Sequence, residues 1–219
     1  MPATTAADRP APGRPSKRER TRRAISDAAF RLFAERGFEA VRLAEVAEVA
    51  GVAPATLYAH FATKEDVFFA RRDEFSDGIP EAVARAGDVR ALLGGLERFH
   101  RQAVARVLDD GVLEQSRTFA RTLLSSPALL QAYGALERER RLTLERSLAI
   151  APQRTGLAAV EHPVFAALAT AAANTVLDTM HRLLADGAAA PELRAEVERT
   201  LTTAFGRLTR AYEDSGHGG

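Results

Sequence analysis

The apolar positions of this chain recur at intervals of three and four residues, the spacing that puts side chains on one face of a helix. Ile25, Ala28, Ala29, Leu32 and Phe33 form one such stripe and predict a first helix from about Ser16 or Lys17 to Arg36, stopped by Gly37. Phe38 and Val41 follow at the junction with the next two helices. Over 42–61, RLAEVAEVAGVAPATLYAHF, the pattern predicts two short helices around a tight turn. Leu43, Val46 and Ala47 share an inward face, with Glu45 and Glu48 pointing away from it. Gly51 has no Cβ and can take the left-handed conformation that ends a helix sharply. Val52 plugs the corner, Pro54 suits a first helical turn, and Leu57 and Phe61 face inward. Ala53, Pro54, Ala55, Thr56, Tyr58 and His60 are left on the outer face.

Thr63 is an N-cap with Asp66 in the reciprocal position, which starts a helix running to about Ser76. Further on, Gly87-Asp88, Asp109-Asp110-Gly111, Ser125-Ser126-Pro127, Ala151-Pro152 and Gly187 to Pro191 divide helices expected near 88–108, 112–125, 127–149, 161–186 and 191–213. The expected class is all-α: an N-terminal three-helix DNA-binding head and a larger C-terminal helical body. The expected division is a disordered tail over 1–15, a head over 16–62, a helical body over 63–214, to which the resemblance described below assigns ligand binding and dimerisation, and a disordered tail over 215–219.

Charge sharpens this division. The net charge is +1, yet residues 1–72 hold 13 Lys/Arg against 9 Asp/Glu and residues 73–219 hold 17 against 20. A basic first third on an acidic remainder fits a head that binds nucleic acid on a body that does not. Six basic residues and one acid lie between Arg14 and Arg23. Arg14, Lys17, Arg18 and Arg20 read as an arm along phosphates or into the minor groove, the alternative being a solvated helix start. There are no cysteines, which excludes disulfides, thiolate metal sites and thiol chemistry. No apolar run approaches a membrane span and the N-terminus has no apolar core, so a cytoplasmic location without membrane association is expected.

The segment resembles the helix-turn-helix of the TetR family of bacterial transcriptional repressors. The likeness extends from AAFRLFAERGF at 28–38 through TLYAHFATKE at 56–65, 38 residues in order and spacing. Family members usually begin the two helices of the motif with Thr and Ser, where this chain has Arg42 and Ala53. The resemblance implies that Ala53, Pro54 and Ala55 lie nearest base edges in a major groove, while Arg42, Thr56, Tyr58, His60 and Lys64 hold phosphates. Lys64 also stands at a helix N-terminus, whose free N–H groups and dipole favour an anion.

The resemblance further implies a ligand cavity among the middle helices, where Phe75, Phe99, His100, Arg117, Phe119, Arg121 and Tyr133 are the candidates. Phenylalanines at helical spacing are more often core than pocket, and Arg117 and Arg121 read best as solvated partners of Glu114. The last two helices resemble the family's dimerisation pair, through Leu168, Val176, Leu183, Leu193, Val197, Leu201 and Leu208. The alternative is that both cover the chain's own core. No nucleophile elbow, phosphate loop, dinucleotide fingerprint or zinc-protease motif is present, and Asn174, Asp178 and His181 on one helix face fall short of a zinc site. No metal, cofactor or catalysis is expected. The reading is a homodimeric repressor of a palindromic operator on double-stranded DNA, released by an unknown small-molecule inducer. A ligand-independent regulator and a binding protein that has lost its operator are the alternatives.

Overall fold

The computed structural model of the chain describes residues 16–70 and 78–215. Ten α-helices follow in order: α1 (Lys17–Arg36), α2 (Leu43–Val49), α3 (Pro54–His60), α4 (Lys64–Phe69), α5 (Ile79–Arg85), α6 (Val89–Val107), α7 (Leu113–Ser125), α8 (Pro127–Ile150), α9 (His162–Ala185) and α10 (Ala190–Ser215). Two single 3-10 turns join α8 to α9, and no strand occurs among the described residues. The expected tail over 1–15, Arg14, Phe75 and the last four residues lie outside the described residues; α10 itself reaches Ser215.

Local chemistry sets the helix ends. Ser16 and Glu19 make a reciprocal capping box at the start of α1, and Thr63 and Asp66 make another at the start of α4, with both bonds at 3.0 Å. At the end of α2, Gly51 at φ 67° allows the Val52 and Gly51 N–H groups to reach back to the Ala47 and Glu48 carbonyls, both at 3.0 Å. The pattern missed α5, because seven residues with Pro80 and only Ile79 and Val83 buried carry little periodicity.

Two apolar clusters hold the fold. The first joins α1 to α4 with Phe119 and Leu123 of α7 and Leu129 of α8. The second fills the body between α5 and α10. The expected dimer residues need correction here. Val176, Leu193, Val197 and Leu201 are at most 1% exposed and Leu208 is 8% exposed, because α9 and α10 pack on each other and α10 packs on α6 within the same subunit. Their stripes are core. Leu183 is partly buried against the same cluster, and Leu168 faces outward.

Candidate nucleic-acid interface

The helix-turn-helix forms without the side-chain caps at Arg42 and Ala53. Arginine has no acceptor to offer an N–H group. The Glu45 carboxylate instead takes the Arg42 N–H at 2.8 Å and the Arg36 guanidinium at 2.9 Å, tying α2 back to the end of α1. Its pKa is lowered, chiefly by the Arg42 N–H and then by Arg36. Pro54 opens α3 at a position where a missing N–H costs nothing. Leu57 and Phe61 are buried beneath α3, and Arg22 of α1 crosses its end, 4.5 Å from the Phe61 ring centroid and bonded to the His60 carbonyl at 3.4 Å.

This anchoring turns one face of α3 outward. Ala53, Pro54, Ala55 and Ala59 are exposed, Tyr58 is 57% exposed, and Thr56 and His60 are partly exposed at its edges. Arg42 and the α1 residues Lys17, Arg18 and Arg20 are exposed as well. A narrow, small-residue tip with hydroxyl and imidazole groups behind it fits a major groove flanked by phosphates.

Lys64 departs from its expected role. Its ammonium donates to the carbonyls of Phe38 at 2.8 Å, Val41 at 3.1 Å and Glu39 at 3.4 Å, and lies 4.3 Å from the Phe38 ring centroid. An ammonium has three donors. All three serve the loop between α1 and α2, so in this conformation Lys64 clamps the head and offers no proton to a phosphate.

The pocket candidates do not converge on one cavity. Phe119 stacks on Phe68 of α4 at 4.4 Å and 18°, where it joins head to body. Arg117 is buried rather than solvated: it keeps its pairing with Glu114, at 3.0 Å, and donates to the Ala188 carbonyl at 2.7 Å, closing the turn between α9 and α10. Arg121 is exposed and bonds Thr118. Phe99 packs across Gly78, whose missing Cβ makes room for the ring.

His100 and Tyr133 lie deeper. His100 Nδ1 is 2.8 Å from the Leu96 carbonyl, and burial pushes its pKa down to about 4, with the charge of Arg140 adding to the effect. The Tyr133 ring lies 6.2 Å from Phe69 and 5.4 Å from both His181 and the Arg140 guanidinium carbon; burial pushes its hydroxyl up to about 12. Arg140, at the centre of this group, was not foreseen. It sits in the charged run Glu137 to Arg141, which reads as a solvated face, so the sequence carries no signal for its burial. His181 turns into the same interior while Asp178 stays exposed, and no group of three metal-capable side chains occurs among the described residues. No helix among them is long and apolar enough to cross a membrane.

Residues 25–70 match the family of bacterial regulatory proteins called tetR. An uncharacterized HTH-type transcriptional regulator of Haemophilus influenzae is 44% identical over 59 residues, which make up 26% of this chain and 29% of that protein. The match therefore spans less than a third of that relative's length. The fold is similar to that of SmeT, the repressor of a multidrug efflux pump of Stenotrophomonas maltophilia, solved in complex with triclosan: TM-score 0.58 at 21% identity, over 88% of this chain and 91% of that one. It is also similar to NalD of Pseudomonas aeruginosa, the secondary repressor of the MexAB-OprM multidrug efflux pump, with TM-score 0.52 at 20% identity over 86% and 96% of the two chains. Residues 25–70 thus carry the helix-turn-helix head of the tetR family of bacterial regulatory proteins, set on a larger helical body whose fold is similar to those of SmeT and NalD.

Proposed function

We propose that the protein is a homodimeric transcriptional repressor that binds a palindromic operator through α3 and is released by a small-molecule ligand. The observation that carries the reading is the outward face of α3, small and apolar at its N-terminal tip, bordered by Tyr58 and by the exposed cations of α1. Small tip residues make few hydrogen bonds, so thymine methyl contacts and DNA shape carry much of the specificity. Val160, Val164 and Leu168 are 80%, 56% and 47% exposed and recur at four-residue spacing along α9 and the turn before it, a stripe that a second copy would cover. Two heads on a twofold axis then address half-sites about one helical turn apart, roughly 34–36 Å, or a multiple of it. Release by a ligand follows from linkage, since a ligand that prefers a body with wrongly spaced heads lowers DNA affinity by that preference. SmeT and NalD, as efflux-pump repressors of the same fold, support this reading.

The test is fluorescence anisotropy across a salt series, on the intergenic DNA beside the gene and on scrambled DNA of equal length. Saturable binding to one palindrome is expected. Ala55→Glu, which sets a carboxylate on the outer face of α3, should abolish that binding without lowering the melting temperature. Leu168→Glu should yield monomers that bind only weakly. Equal binding of the two DNAs, vanishing near physiological salt, would mean an electrostatic contact alone and would refute the operator reading.

A further inference from the structure

Besides Arg117, which closes the turn between α9 and α10, the body buries a second cation that operator binding does not use. Arg140 lies on the inner face of α8, 6% exposed, and its Nε and Nη2 have no hydrogen-bond partner. It borders a void of about 10 Å³, lined mostly by apolar side chains that include Ile79 of α5, Leu96 of α6, Leu144 of α8 and Ala173 of α9, with His100 and Thr170 as its other polar members. Among the lining residues it carries the sole charge, because burial disfavours the charged form of His100. The buried Tyr133 hydroxyl lies beside the same guanidinium, whose charge and hydrogen bonding favour its ionised form against the larger effect of burial.

A buried guanidinium with idle donors is costly unless an acceptor meets it. Two carboxylates feel its charge, Glu137 one turn earlier on α8 and Asp178 on α9, and Arg138 acts on the first and Arg182 on the second as well. Both carboxylates remain partly in water, and burial raises both of their pKa values. Neither meets the idle nitrogens. The void can hold little more than one water. Planar N–H donors in a largely apolar enclosure suit a carboxylate, which accepts two of them side by side.

We propose that Arg140 anchors an organic anion, a carboxylate on an apolar body, that enters between α5, α6, α8 and α9. The inference rests on the ligand-released repressor reading and names the chemical class of its ligand. Because the void is too small for such a molecule, the ligand selects a conformation with these helices further apart. The same contact leads to the head. The Tyr133 ring faces Arg140 on one side and stacks on Phe69 of α4 on the other, so a guanidinium drawn toward a ligand changes the packing under α4.

The probes are decanoate, decanol and decylamine, which share a chain and differ in charge, titrated by calorimetry into wild-type protein, Arg140→Leu and Arg140→Gln. Decanoate should bind wild type at least tenfold more tightly than the other two, and both variants should lose roughly tenfold to a hundredfold of that affinity. Circular dichroism checks that the variants fold, and two variants guard against one failing to do so. Equal affinity for decanol, unchanged affinity in the variants, or no binding of decanoate would overturn the site. Anisotropy on the same samples separates the two readings. Arg140-dependent decanoate binding that leaves operator affinity unchanged keeps the site and refutes release, whereas operator binding without decanoate binding refutes the site alone.

Discussion

Replacing Lys64 with Met keeps the aliphatic stem over Phe38 and removes the ammonium. The two shorter bonds, to the Phe38 and Val41 carbonyls at 2.8 and 3.1 Å, carry most of what is lost. Hydrogen bonds to a charged group contribute about 1.5–3 kcal/mol each, and partial exposure of Lys64 puts them at or below the low end of that range. The 3.4 Å bond to Glu39 is exposed and adds little, and the cation over the Phe38 ring adds about 0.5–1 kcal/mol. The ordering of a long side chain offsets part of this, leaving a net loss of about 2 kcal/mol. For a chain of this size that corresponds to roughly 4–8 °C in Tm, measured by thermal circular dichroism. A phosphate contact predicts a different pattern: Tm unchanged, weaker binding to every DNA sequence, and a salt slope shallower by about one. An unmoved Tm with a reduced slope would refute the clamp and show that Lys64 leaves the loop for the DNA.

Two further outcomes follow from the body. His100 titrates near 4 when folded against 6.5 as the ordinary value, so the unfolded chain binds more protons between those limits; stability is fully present above pH 6.5 and falls by roughly 3 kcal/mol as pH drops through 4. His100→Gln should flatten that part of the urea-midpoint profile, and an unchanged profile would assign the acid sensitivity elsewhere. A Cβ at Gly78 would come within 2.2 Å of the Phe99 ring, so Gly78→Ala should cost about 1–3 kcal/mol in chemical denaturation. Adding Phe99→Leu should recover most of it, and a neutral single variant would refute the close approach.

The head was legible because its punctuation is local. Gly37, Gly51, Pro54 and the Thr63 cap each act on the backbone within a few residues, and the apolar positions between them had one place to go. Where partners lie far along the chain, the pattern ran out. The stripe from Leu193 to Leu208 reads equally well as a dimer seam or as core, and only its packing against α6 and α9 decides for core. Lys64 carries a charge that suits a phosphate, but the loop that takes it lies more than twenty residues upstream. Arg140 is the extreme case, since a charged residue in a charged run gives no sign of burial until three other helices close over it.

The aromatic joint between head and body bears on how the two could be recombined with other proteins. Phe68 and Phe69 belong to one cluster with Phe119, Leu123 and Leu129, so a cut after residue 62 or 70 divides shared packing. A chimera that grafts this head onto a foreign sensor would strand those rings unless the receiving corner between its helices supplied equivalent partners. The transplantable unit is therefore discontinuous: residues 16–70 together with a patch of α7 and α8 that lies some fifty residues downstream.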